Sequence, residues 1–219
     1  MYIKIYQIDP ARDNPVEKYR TVYDNPIHSE NYNRVFMGEV DCKNLEDVYL
    51  KFNTDKHNLF TGHSLSTSDV VVTEEGAFRC QDIGFTKVEF DESKVPLPDN
   101  LMRVVYVEPN RRPFITEIEH TLEAEQQAVG GLIEPIYAND DDTCLIGNEE
   151  AKLSGMRGNR RTECGIVAGP FFVCGLTEDD FRGLTDEEIE KYMQVFKEPE
   201  NITSKEIEQE MFGGMTMFY

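Results

Sequence analysis

The sequence predicts an α+β protein: two small mixed α/β domains with antiparallel sheets. Three observations carry this reading. Short runs of alternating apolar residues are separated by turn signals, apolar stripes at helical spacing are bounded by capping residues, and a mid-chain stretch with two prolines has no periodicity. With 219 residues, 39% hydrophobic and 11% aromatic, the chain is long enough for two cores of about a hundred residues each.

Residues 1–90 read as ββαβββ. The segment YIKIYQI is strand-like, as is Arg34 to Val40. Asn44 is placed to cap a helix whose Leu45, Val48, Tyr49 and Phe52 fall at i, i+3, i+4 and i+7, so that face is expected in the core. After the polar turn TGHSLSTS, the segments VVVT, AFRCQ and FTKVEF read as a meander of three short strands. Residues 91–101, DESKVPLPDNL, have linker chemistry.

Residues 102–200 form the second domain. A strand, RVVYVEP, is followed by a capping box of Thr116 and Glu119 and a helix with Ile118, Leu122 and Val129 on one stripe, which Gly130 and Gly131 end. LIEPIYA and TCLIGN are strands joined through the acidic turn 139–142, and GIVAGPFFVCGL reads as a buried strand pair or one long strand. The clearest helix starts at a capping box of Thr185 and Glu188, lines up Ile189, Tyr192, Met193 and Phe196, and stops by Pro199. Residues 201–219 are an acidic C-terminal tail with a short helix after Thr203 or Ser204. Its last seven residues are expected to be disordered unless Met215, Met217, Phe218 and Tyr219 dock.

Charge narrows the function classes. There are 42 acidic against 22 basic side chains, a formal net charge of −20, and residues 102–219 hold 24 acids and 11 bases. Such a field repels nucleic acid and anionic membrane within a Debye length of about 8 Å and attracts cationic surfaces, including those that normally hold nucleic acid. No apolar run is long enough to span a membrane, and no basic-then-apolar leader opens the chain. The five cysteines show no CxxC spacing and an odd count, which reads as reduced thiols in a cytoplasm.

Two stretches carry a family resemblance. NRVFMGEV, the LEDVYLKFN helix, and Gly62, Ser64, Leu65, Ser66, Ser68, Asp69, Val70, Val71, Asp82, Gly84 and Phe85 together resemble the YodL-like domain. Glu108, Pro109, Gln127, Val129, Gly130, Gly131, Glu134, Asn148, Glu149, Glu150, Lys152, Asn159, Arg160, Gly169 and Phe172 make the second half similar to an uncharacterised domain family common in phages and conjugative elements of Gram-positive and gut bacteria. Neither resemblance implies a reaction. Together they imply the setting of a mobile-element accessory gene, among which acidic inhibitors of host defence nucleases recur.

The candidate sites follow from residue chemistry. His63, Ser64, Ser66, Ser68 and Asp69 share one turn, whereas a triad draws its members from separate segments, so a structural turn is expected, with Ser68 or Asp69 bonding backbone. Cys80 and Asp82 are expected to be structural too. Asp140, Asp141 and Asp142 with Asn148, Glu149 and Glu150 lack the Ca²⁺-loop pattern, so no metal is assigned. Arg157, Arg160 and Arg161 form the one concentrated basic segment. They are expected to pair with Glu149 or Glu150, and as the alternative to bind a small anionic ligand or nucleotide. The partner-binding candidates are Asp179, Asp180, Asp186, Glu187, Glu190 and Glu198, carboxylates on a rigid frame at separations that approximate those of backbone phosphates. The expectation is therefore a cytoplasmic, non-enzymatic accessory protein without cofactor. It would bind neither nucleic acid nor membrane, and would inhibit a basic nucleic-acid-binding host protein, a CRISPR effector or restriction enzyme, by mimicry.

Overall fold

A computed structural model describes residues 1–12, 27–136 and 142–213. The chain divides into two compact units, Met1–Asp99 and Asn100–Tyr219, each mixed α/β with every strand pairing antiparallel.

The first unit is a five-stranded sheet in the order β2-β1-β3-β4-β5, built from β1 (Tyr2–Ile8), β2 (Tyr32–Glu39), β3 (Val70–Thr73), β4 (Gly76–Cys80) and β5 (Phe85–Val88). Helix α1 (Leu45–Thr54) starts at Asn44, whose side chain accepts from the Asp47 amide, as its position predicts. Val48 and Phe52 of α1 pack on Ile3, Ile5, Phe36 and Val71, so alternate residues of the strands fill one face of the sheet. Tyr49, expected in that core, is 43% exposed, because the buried stripe runs through Val48 and Phe52 and leaves Tyr49 about 100° round the helix. Tyr6, Tyr32, Val70 and Ala77 form a second cluster with Val95.

Val95 belongs to the segment read as linker. Asp91 caps a single 3-10 turn, Glu92–Lys94, through the Ser93 amide, and Glu92 accepts from Lys4 Nζ at 2.8 Å and from the Tyr6 hydroxyl. Residues 91–95 therefore fold onto the first unit, Leu101 already lies in a strand, and the exposed irregular stretch between them is 96–100.

The second unit centres on a six-stranded sheet in the order β7-β6-β12-β9-β8, with β13 beside β12. Its strands are β6 (Leu101–Val107), β7 (Phe114–Glu119), β8 (Ile133–Ile136), β9 (Thr143–Asn148), β12 (Phe171–Leu176) and β13 (Phe181–Arg182). A separate hairpin pairs β10 (Gly158–Thr162) with β11 (Gly165–Ala168). Thus GIVAGPFFVCGL makes two strands that do not pair with each other: β11 joins β10, and β12 joins β6 and β9.

The Thr116–Glu119 capping box does not form. FITEIE alternates, pairs with β6 and buries Thr116, so period 2 prevails over the cap signal. Helix α2 (Leu122–Val129) starts instead at Thr121, which accepts from the Ala124 amide, and ends at Gly130 in the left-handed conformation at φ 75°. Ile118 is thus a strand residue, and Leu122 is exposed.

Helix α3 (Asp186–Val195) carries the expected capping box of Thr185 and Glu188. Ile189, Tyr192 and Phe196 pack on Val105, Val107, Leu145 and Val173. Burying each such side chain contributes about 1.5–3 kcal/mol. Tyr106, of opposite parity in β6, donates its hydroxyl to the Ala128 carbonyl of α2. Helix α4 (Ser204–Gly213) forms within the acidic tail where Thr203 invites it. Residues 139–141 of the acidic turn and Met215, Met217, Phe218 and Tyr219 lie outside the described residues.

Candidate partner-binding face

Helix α3 presents its apolar stripe inward and its acids outward, so the site is built from the same periodicity that builds the core. Glu188 is the acid held most firmly. Its carboxylate takes a bidentate fork from Arg182, Nη2 to Oε1 at 2.7 Å and Nη1 to Oε2 at 2.8 Å, and accepts the Thr185 amide at 2.8 Å. The Arg182 bonds hold its pKa down at about 2.

The six sequence candidates divide into two groups. Asp186 pairs with Arg103 at 2.6 Å, Asp180 with His120 Nε2 at 3.1 Å, and Glu198 with Arg112 at 3.9 Å. His120 also meets the buried Glu125 through Nδ1 at 2.8 Å, so Glu125 first and Asp180 second raise its pKa. Asp179, Glu187 and Glu190 are exposed and make no ion pair among the described residues. The partners Arg103, His120 and Arg112 lie 60 to 86 residues away in sequence from the acids they meet, and no local spacing announces them.

The basic segment is committed internally. Arg160 is 2% exposed and donates to the carbonyls of Asn159, Arg111 and Phe196 and to Asn159 Oδ1. Arg161 takes Glu200 on Nη1 at 2.6 Å and Glu206 on Nη2 at 2.5 Å, and with its amide oxygen turned inward Asn110 accepts from Arg157 Nε at 2.6 Å. The expected pairing with Glu149 or Glu150 is replaced by pairing with Glu200 and Glu206, and a ligand pocket walled by all three arginines is excluded at Arg160 by burial. The segment forms the strand β10 although its charged residues break the apolar alternation that marks a strand in sequence.

In the first unit the GHSLSTSD turn is organised around a buried amide and a buried carboxylate. Gln7 Nε2 donates to Asp69 Oδ2 at 2.8 Å and to the His63 carbonyl at 2.9 Å, and Gln7 Oε1 accepts the His63 amide. Asp69 also accepts the Ser66 amide, and burial pushes its pKa up to about 6. Asp69 does bond backbone, as the turn chemistry predicts, whereas Ser68 uses its own backbone, donating its amide to the Cys80 carbonyl at a strained φ of 83°. Ser66 Oγ lies 3.5 Å from Asp69 Oδ2, while the His63 ring faces Gln7 and the Ser64 carbonyl. Burial raises the Cys80 thiol to about 11, and Asp82 accepts from Thr67. Among the described residues no three His, Cys, Asp or Glu side chains converge on a possible metal position, and no helix is long and apolar enough to cross a membrane.

Two family models match the chain: that of the YodL-like domain over residues 2–90 and that of the Domain of unknown function (DUF3846) over residues 102–197. No curated protein and no solved structure matches it.

Proposed function

The chain is a YodL-like domain followed by a DUF3846 domain, and from that premise we propose that it is a mobile-element accessory protein. It inhibits a basic nucleic-acid-binding defence protein of the host, a CRISPR effector or restriction enzyme, by occupying the groove that holds DNA or RNA. The mechanism is occupancy without chemistry, in the cytoplasm, where its five cysteines, none of them in a disulfide, stay reduced. The observation that carries this reading is the net charge of −20, with Glu187 and Glu190 in no ion pair among the described residues, on the outer face of a helix whose inner face anchors the second unit. A carboxylate without an internal partner is free to meet Lys or Arg of another molecule, whereas Asp186, Asp180 and Glu198 must first give up a pairing.

Binding is expected to weaken steeply between about 50 and 300 mM salt and to be displaced by DNA or RNA. Glu187→Lys with Glu190→Lys reverses the free acids and leaves the Arg103–Asp186 pair and the Glu188 capping box in place. This double variant is expected to lose at least tenfold in affinity for the effector while keeping its fold. Unchanged affinity and inhibition, without salt dependence, would overturn the proposal.

A further inference from the structure

The tail beyond α3 does not hang free. Ile202 and Ile207 pack with Ala151, Ile166 and Ala168, and a Cβ on Gly158 would stand 2.6 Å from Ile202 Cβ, so only a glycine lets this residue seat on β10. Three carboxylates complete the contact: Glu200 and Glu206 share Arg161, and Glu210 accepts from Lys152 Nζ at 2.6 Å and from the Ile166 amide at 2.9 and 3.1 Å. Gly165, at φ 111°, permits the last approach, since a Cβ there would lie 2.8 Å from Glu210 Oε1. Burial alone would push the Glu210 carboxyl up, yet the Lys152 and Ile166 bonds leave it below the usual range. The hairpin and the neighbouring Lys152 thus offer a fork, an ammonium, a strand-edge amide and an apolar seat, at spacings that take an acidic amphipathic helix.

We propose that the β10–β11 face of the second unit is a receptor for the acidic amphipathic helix of another protein, which α4 fills in cis and yields by exchange. Charge complementarity defines the partner: two carboxylates for Arg161, one for Lys152 and Ile166, and branched apolar residues between them. The cis contact is exchangeable because its ion pairs are only half-buried, open to water and to screening, and its buried side chains are few. Residues 198–213 also lie outside the 102–197 stretch that matches the domain. Next to α4, a groove of about 390 Å³ continues from Lys152 and Ile166 to Val167, Gly147, Pro135 and Ile136. A partner helix followed by an apolar segment gains contacts there that α4 does not make. This inference stands independently of the mimicry proposed for α3.

The test uses the full chain and a labelled synthetic peptide spanning residues 198–213. Ile202→Asp with Ile207→Asp releases α4, and Glu206→Lys with Glu210→Lys, which removes the contacts to Arg161, Lys152 and the Ile166 amide, does so without touching apolar packing. Both variants are expected to bind the peptide at least tenfold more tightly than the wild-type chain, in which α4 competes, and adding Arg161→Glu is expected to abolish binding. Equal binding by wild type and both variants, or equal binding of a scrambled peptide of the same charge, would overturn the receptor. A wild-type chain found by light scattering to be a dimer through exchanged α4 helices would overturn the assignment to another protein.

Discussion

Arg160 Nη2 donates to the Phe196 carbonyl at 2.8 Å, so a guanidinium buried in β10 closes the C-terminus of the acidic helix α3. The same side chain satisfies the Arg111 and Asn159 carbonyls, and a cation at this helix end also complements the dipole. A residue that looks from sequence like a surface anion binder is the internal clamp at the end of the acidic helix α3.

Replacing Arg160 by Leu orphans several buried acceptors at once, and Lys cannot reproduce the planar fork. Both variants are expected to lose about 3 kcal/mol or more. Because a chain of two units need not unfold in one step, amide hydrogen exchange of β6, β9 and β12 is the suitable measure. Protection equal to wild type in Arg160→Leu would show that the clamp carries no stability.

Asp69 and Glu188 predict opposite pH responses. The folded pKa of Asp69 is raised from 3.8 to about 6, so its contribution is fully present below about 3.8 and is lost as pH rises through 6. Exchange protection in the first unit is expected to fall across that window, and Asp69→Asn is expected to remove the dependence. A carboxyl resonance of Asp69 titrating near 4 by NMR would contradict it.

Glu188 works the other way. Its folded pKa lies near 2 against 4.5 unfolded, so its stabilisation is present above about 4.5 and disappears as pH falls toward 2. With solvent screening the effect is roughly 1–2 kcal/mol. Glu188→Gln is expected to flatten the acid limb of the second unit's stability while leaving the first unit's unchanged.

Ser68 holds a positive φ without being glycine. Ser68→Gly is expected to stabilise the first unit by about 1 kcal/mol, and Ser68→Ala to leave the strain in place. Equal exchange protection in both variants would show that the strain is compensated elsewhere.

Strands with clean alternation and helices with adjacent caps were legible: YIKIYQI, the Asn44 cap and the Thr185–Glu188 box all form where their residues predict them. The misreadings have two sources. FITEIE carried a cap signal inside an alternating segment, and the hairpin it makes with β6 outweighed the cap. GNRRT carried charge through a strand, and only the carbonyls and carboxylates brought to it by distant segments make those arginines internal.

By itself the sequence determined the charge, the two-domain α+β class, the order of the domains and the face on which α3 buries its apolar stripe. These depend on composition and on periods of two and 3.6 residues, which are local. Which carboxylates stay free was decided only by tertiary structure. Asp186 meets Arg103 across 83 residues and Arg161 gathers Glu200 and Glu206 from 39 and 45 residues away, while Glu187 and Glu190, alike in sequence, meet no cation among the described residues. An ion pair forms where folding brings two side chains within about 4 Å, and that distance is a property of how strands and helices pack.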